Sequence, residues 1–342
     1  MNNHSITLTT RDSQQLQFDC RENEDVISAA ERQEIILPQQ CRSGACSACT
    51  ATTVSGDYNL TDYNKAALSD EQRAQQRTLL CRTYPKSALQ IATDYDYSAI
   101  RFGKVPEAQF TITEKHYLTK HVVQLVLQQA TDMEGLLSAN ILAGQYMYLS
   151  PPDKQIKRAY SLANSANWQG QLEFLIRLQP DGQFSGFLQT AAVGETITAY
   201  GPQGDFQLHE NGFKPRWFIA GGTGLSPILA MLRQMADFGE MHPTRLFFGL
   251  RHEQDIFCEK ELNQLQQMLP DFHYQICLSR AEPDWTGYNG SILQAVESTL
   301  KTRQQPVDIY LCGSDRLIDG MIALFKMYNI REENVYYERF SG

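Results

Sequence analysis

The chain has 342 residues, 42% of them hydrophobic and 20% charged, with a formal net charge of −9. That length exceeds one ordinary core and calls for two or three domains, while the acidic balance argues against nucleic-acid binding, which needs a basic face. No apolar run approaches the roughly 18 residues of a membrane span, and residues 1–10 lack the apolar core of a secretory signal, so a cytoplasmic protein without membrane association is expected.

From the N-terminus, residues 5–9 and 15–18 alternate polar and apolar, as two half-buried strands of a hairpin do. Asp25 stands as an N-cap before a short amphipathic helix over 26–32, and Pro38 closes the apolar run behind it. Ser69 opens a second short helix leading to Leu79, Leu80 and Cys81. Between them lies Cys41-Arg42-Ser43-Gly44-Ala45-Cys46-Ser47-Ala48-Cys49. With Cys81, this loop makes the C-x4-C-x2-C…C spacing of a four-thiolate [2Fe–2S] site. The small residues between the ligands let the backbone wrap closely and aim its N–H groups at the sulfurs. A structural zinc also takes four thiolates, but its ligands usually come as two short-spaced hooks, and Cys81 stands alone. Cys20, Cys258, Cys277 and Cys312 sit in apolar or strand-like contexts. Scattered free thiols beside such a centre fit a reducing compartment rather than a disulfide scaffold.

Beyond residue 99, short alternating runs at 109–113, 121–127, 145–149, 171–177 and 195–199 are punctuated by Gly144, Gly170, Gly182, Gly194 and Gly201-Pro202. This pattern predicts a small antiparallel barrel. Within it stands Arg158-Ala159-Tyr160-Ser161, and Gly182-Gln183-Phe184-Ser185 opens a predicted helix over 186–190. The free N–H groups of a helix start bind phosphate; a plain Ser185 N-cap is the alternative.

The last third alternates strand and helix. A buried strand over 217–220 leads into Gly221-Gly222-Thr223-Gly224 and a helix over 227–235, with Pro227 at its first position. Strands at 244–249, 274–278 and 308–312 then alternate with helices at 259–268 and 291–300, which predicts a parallel sheet with helices on both faces. The turn is not G-x-G-x-x-G, yet its glycines let the backbone approach a cofactor whose phosphates face the helix start. Cys312-Gly313 ends the last core strand, where ligands of open α/β sheets bind; a buried inert thiol is the alternative for Cys312. After the second strand, Arg251 and His252 suit a 2′-phosphate whereas Glu253 and Asp255 repel one, so these residues leave NADH and NADPH open.

Residues 1–98 resemble the plant-type ferredoxin family through the cysteine loop. The Arg-Ala-Tyr-Ser tetrapeptide followed by the Gly-Gly-Thr-Gly turn resembles the ferredoxin-reductase family. Together these resemblances imply a multidomain chain: a β-grasp [2Fe–2S] ferredoxin domain (α+β) at 1–98, an antiparallel β-barrel FAD domain at 99–209 and an α/β parallel-sheet NAD domain at 210–342. Cys41, Cys46, Cys49 and Cys81 are then the metal ligands. By the resemblance, Arg158 pairs with the flavin pyrophosphate, Tyr160 packs on the isoalloxazine and ribityl chain, and Ser161 bonds near the reactive nitrogen. Gly182 and Ser185 complete the phosphate site, while Gly221, Gly222, Thr223, Gly224, Cys312 and Gly313 hold the nicotinamide nucleotide. Ser161, Cys312 and Phe340 are the catalytic candidates, Phe340 as the aromatic that covers the flavin until nicotinamide displaces it; Tyr336 and Tyr337 read as alternating strand residues.

The whole chain is similar to the reductase components of bacterial multicomponent oxygenases. Cys81-Arg82-Thr83-Tyr84-Pro85-Lys86, Leu172-Glu173-Phe174-Leu175-Ile176-Arg177 and Tyr310-Leu311-Cys312-Gly313 carry a narrower likeness to the soluble methane monooxygenase type. That likeness implies an oxidoreductase passing electrons from NADH to FAD, to the [2Fe–2S] cluster and out to a separate diiron hydroxylase, since flavin accepts a pair and releases singles. The nearest alternatives keep this path but end it at a phenol or alkene diiron monooxygenase or a Rieske ring-hydroxylating dioxygenase. A non-enzymatic iron–sulfur carrier or sensor is the alternative of another class, and it would need neither the tetrapeptide nor the glycine turn. A zinc-stabilised flavin oxidoreductase is the last.

Overall fold

The computed structural model describes residues 2–129, 135–152, 156–210 and 212–340, the Glu332 side chain excepted. In it the N-terminal alternation forms the hairpin it predicts: Asn3–Thr9 and Gln15–Arg21 pair antiparallel. Their period of two puts Ile6, Leu8, Phe18 and Cys20 on one buried face. Leu89–Thr93 joins the first strand in parallel, followed by Thr50–Ser55 and Arg77–Leu79. Helix Val26–Arg32 buries Val26, Ile27, Ala29 and Ala30 in the core of this mixed sheet. Its cap is the expected one, the Asp25 carboxylate accepting the Ser28 N–H at 3.0 Å. Ser69 starts helix Asp70–Ala74 through a reciprocal capping box with Gln72. This is the α+β layout of a β-grasp domain. The unit ends at Pro106, beyond the expected 98, because strand Arg101–Phe102 pairs with Ile35–Ile36 and ties the junction to it.

The second unit, Glu107–Phe340, contains two folds. Six antiparallel strands run in the order Arg158–Ser161, Tyr146–Ser150, Thr196–Gln203, Glu107–Thr119, Val122–Gln129, Gln171–Arg177. A bridge between Leu162 and Phe174, with the Ala163 N–H on the Glu173 carbonyl at 2.8 Å, joins the two edges and closes a barrel. Phe110, Ile112, Leu125, Leu127, Met147, Leu149 and Phe174 fill its interior. Arg158–Ser161 is a strand in its own right; four residues carry too little alternation to announce one. Helix Gln183–Thr190 starts earlier than expected, with Gly182 as its N-cap. Ser185 therefore lies inside the first turn, and burial of Phe184 draws the start forward.

The remaining fold is an all-parallel sheet in the order Tyr288–Asn289, Phe272–Leu278, Thr244–Leu250, Arg216–Gly221, Asp308–Ser314, Val335–Phe340. Helices Leu225–Asp237 and Glu259–Met268 share a core with Phe218, Ala220, Leu246 and Phe248. Helices Ile292–Lys301 and Asp315–Met327 pack on the alternate residues Ile219, Phe247, Ile309 and Leu311, so both faces are covered. Pro227 is the third helical residue, not the first, because Gly222–Gly224 forms a 3-10 turn and the helix begins at Leu225. It is accommodated because first-turn N–H groups have no intrahelical acceptor. Val122, Ala163, Leu175 and Phe206 of the barrel segment share one core with Leu225, Ile228, Leu229 and Met231 of the sheet segment. That common core is why the two folds form one compact unit. Among the described residues, no helix is long and apolar enough to cross a membrane.

Candidate functional site

The cysteine loop wraps one sulfur as its small residues allow. The Cys41 Sγ accepts the N–H groups of Ser43 (3.4 Å), Ala45 (3.4 Å) and Cys46 (3.3 Å), and the Cys46 Sγ accepts that of Cys41 at 3.5 Å. Gly44 has φ +71°, and a Cβ there would stand 2.9 Å from Arg82 and Tyr63. The Arg82 guanidinium donates to the Ser43 carbonyl at 2.7 Å. Arg42 donates to Glu31 (2.6 Å) and to the Ser28 hydroxyl (3.0 Å), pinning the loop to the main helix.

The four thiols influence one another in two pairs, Cys41 with Cys46 and Cys49 with Cys81. Hydrogen bonding from Cys46, then from Ser43 and Ala45, holds the Cys41 thiol down to about 4 against the opposing effect of burial. In the second pair the Cys49 thiol is pushed up and the Cys81 thiol drawn down by the bond they share. Among the described residues no three His, Cys, Asp or Glu side chains converge on a single ion position. Two thiolates per iron is the donor set of a two-iron cluster, so the two-by-two arrangement fits that group.

Tyr160 and the helix start at Gly182 are brought together. The Tyr160 ring lies 4.9 Å from that of Phe184, and burial pushes the Tyr160 hydroxyl pKa up. Arg158 is exposed at the start of the same strand, its guanidinium donating to the Lys157 carbonyl at 3.0 Å. No described side chain caps the start of helix Gln183–Thr190. A cation and uncapped N–H groups flanking an aromatic ring suit a dinucleotide with an anionic pyrophosphate.

The glycine turn and Cys312-Gly313 also meet. A Cβ on Gly224 would stand 2.3 Å from the Cys312 carbonyl oxygen, and one on Gly313 would lie 3.4 Å from the Gly221 Cα. Glycine is thus demanded at 224 by the backbone of Cys312, while the 3.4 Å at Gly313 is ordinary contact. Gly222 adds a positive φ of +55°. Helix Leu225–Asp237 likewise begins without a side-chain cap. In the loop after strand Thr244–Leu250, Asp255 accepts the His252 N–H (3.1 Å) and Glu253 accepts the Glu282 N–H (2.7 Å), so both carboxylates brace the backbone.

Ser161 and Cys312 converge through a residue that the sequence reasoning missed. Ser161 Oγ donates to Glu338 Oε2 at 2.7 Å, and Cys312 Sγ lies 3.8 Å from the same oxygen. All three side chains are buried. Parallel pairing sets Cys312 opposite Glu338, and burial pushes the Glu338 carboxyl up to about 7. The available signal was an acid inside a strand of a parallel sheet, where charge is rarely buried. Ser226, also missed, donates its hydroxyl to the Ser161 carbonyl at 2.8 Å. Phe340 lies two residues past Glu338, on the same face of the strand, half-buried against the core shared by barrel and sheet. Tyr336 stacks on His209 (4.0 Å) and Tyr310 (5.1 Å), as a strand residue facing a core does.

Three family models match the chain: a 2Fe-2S iron-sulfur cluster binding domain over residues 9–86, an oxidoreductase FAD-binding domain over 109–208 and an oxidoreductase NAD-binding domain over 218–322. The methane monooxygenase component C of Methylosinus trichosporium is 38% identical over 279 residues, 80% of each chain. The anthranilate 1,2-dioxygenase electron transfer component of Acinetobacter baylyi is 32% identical, covering 99% of this chain and 97% of that one. The propane 2-monooxygenase reductase component of Rhodococcus jostii is 30% identical, covering 96% and 89%. Among solved structures, the Amycolatopsis cytochrome P450 reductase shares the fold with a TM-score of 0.78 at 24% identity, over 98% of this chain and 99% of that one.

Proposed function

The chain belongs to the iron–sulfur flavoprotein reductase components of oxygenase systems, and we propose that its acceptor is the diiron hydroxylase of a methane monooxygenase-type system. As a member of that family it is an oxidoreductase that carries electrons from NADH through FAD and a [2Fe–2S] centre to an oxygenase component. The bound cofactors supply the chemistry, with FAD converting a hydride pair into the single electrons that an iron–sulfur centre carries.

We assign the three cofactors to segments 1–98, 99–209 and 210–342. Cys41, Cys46, Cys49 and Cys81 would ligate the irons, and the N–H groups around Cys41 would stabilise its thiolate. Arg158, Tyr160, Ser161, Gly182 and Ser185 would hold the flavin nucleotide; Gly221, Gly222, Thr223, Gly224, Cys312 and Gly313 would hold NADH. Phe340 would cover the flavin face. Docking would be transient and made by the ferredoxin domain. Free thiols at Cys20, Cys258, Cys277 and Cys312 support a reducing, cytoplasmic setting.

The observation that carries the diiron acceptor is the 38% identity to methane monooxygenase component C. A second reading, a ring-hydroxylating dioxygenase acceptor, is favoured by the 99% coverage of this chain by the anthranilate dioxygenase relative. Reconstitution decides between them. The purified reductase is mixed with NADH and either a methane-type diiron hydroxylase or a Rieske oxygenase, and product formation is measured. Turnover is expected with the diiron partner and should vanish in Cys46→Ser while NADH still bleaches the flavin. Turnover with the Rieske enzyme alone would reject the diiron assignment.

A further inference from the structure

Helix Leu225–Asp237 starts at the glycine turn and is bonded to the barrel at two points. Near its start, Ser226, only 1% exposed, donates to the Ser161 carbonyl at 2.8 Å. Seven residues later, two turns along the helix, Arg233 reaches the same stretch of backbone and donates to the Ala163 carbonyl at 2.9 Å. Both carbonyls belong to the strand Arg158–Ser161 and the two residues that follow it. The Arg233 guanidinium also grips Glu173 of the closing barrel strand with both terminal nitrogens, at 2.6 and 3.2 Å. Its Nε donates to Glu261 of helix Glu259–Met268 at 2.5 Å. Glu173 is itself held by Gln124 Nε2 at 2.7 Å.

The apolar core shared by barrel and sheet already supplies adhesion, but apolar contact is non-directional. A planar cation fixed by two carboxylates and a carbonyl sets register as well. We propose that Arg233, assisted by Ser226, is a positioning residue for hydride transfer, locking the nicotinamide-side turn to the flavin-side strand. The proposal rests on the assignment of Arg158–Ser161 to flavin and of Gly221–Gly224 to the nicotinamide nucleotide. Hydride transfer requires reacting atoms held about 3–3.5 Å apart, and a misplacement of about 1 Å can lower the rate by about a hundredfold. A clamp beside both cradles therefore acts on rate more than on affinity.

The test uses the full-length holoprotein and its Arg233→Gln, Arg233→Lys and Ser226→Ala variants, with flavin reduction by NADH followed anaerobically by stopped flow. In Arg233→Gln the limiting rate at saturating NADH should fall at least about tenfold, while the NADH dissociation constant moves less than about twofold and FAD content is unchanged. Arg233→Lys, which keeps the charge but not the fork, should recover only part of the rate. Should that variant not fold, Ser226→Ala removes a single hydrogen bond and should still slow reduction severalfold with unchanged FAD content. A parental limiting rate in Arg233→Gln at full FAD content, or in Ser226→Ala, overturns the proposal, as does a loss that tracks missing FAD. Failure of the parent protein to bleach with NADH would instead overturn the nicotinamide and flavin assignment beneath it.

Discussion

Burial pushes the Glu338 carboxyl up to about 7, and the hydrogen bonds from Ser161 and Cys312 only partly oppose it. Between the ordinary carboxylate value of 4.5 and about 7 the folded chain keeps a proton that the unfolded chain has released. Stability from this group is therefore complete below 4.5, falls as pH rises through 7, and is level above. The full span amounts to about 3 kcal/mol. Glu338→Gln should remove this slope, so the flavin-free variant is more stable than the parent above pH 7 and matches it below 4.5. Urea midpoints measured across that range check it; a variant that keeps the parental slope would show that another group titrates. Glu338 Oε2 accepts the Ser161 hydroxyl at 2.7 Å, so this titrating carboxyl is in direct contact with the residue assigned to the flavin.

At the scale of elements, close approach of two strand ends decides more than local propensity does. Glycine disfavours helix, yet Gly224 immediately precedes helix Leu225–Asp237, because a Cβ there would meet the Cys312 carbonyl oxygen at 2.3 Å. That neighbour is backbone and cannot rotate away. Gly224→Ala should destabilise the second unit by about 1–3 kcal/mol and weaken NADH binding, since the turn and Cys312-Gly313 must separate. Melting temperature and an NADH titration test this; a parental melt with parental affinity would mean the turn relaxes freely. The other helix start obeys the same tertiary logic. Serine is a favoured cap, but Phe184 is buried with Leu188 against the barrel, so the helix starts at Gln183 and Ser185 turns back to the Gln179 N–H at 2.8 Å.

For the whole molecule, the division at Pro106 and Glu107 separates two units with cores of their own. Residues 1–106 expressed alone should fold and carry the iron–sulfur chromophore, whereas a fragment cut at 98 loses the Ile35–Ile36 pairing with Arg101–Phe102 and should be less stable. Residues 107–342 should bind FAD and be bleached by NADH without an iron–sulfur signal. Visible absorption and electron spin resonance of the two fragments check this. A cluster that assembles only in the full chain would show that the units depend on each other. Splitting 107–342 again at 209 should fail, because Ala163 and Leu175 of the barrel lie in the same core as Leu229 and Met231.

Much of this was legible in the residues themselves. The cysteine spacing, the Asp25 and Ser69 caps, the strand alternation and the glycine turn each express themselves within a few neighbours, and backbone sterics and hydrogen bonding act at that range. What the tertiary structure alone decided was which polar groups are buried together. Ser161 and Glu338 are 177 residues apart, and Arg233 and Glu173 are 60 apart. No local pattern marks such pairs, since a carboxylate on a strand or an arginine on a helix reads as surface until packing removes its water. Desolvation then fixes both the partner and the proton, and desolvation is a property of the packed molecule.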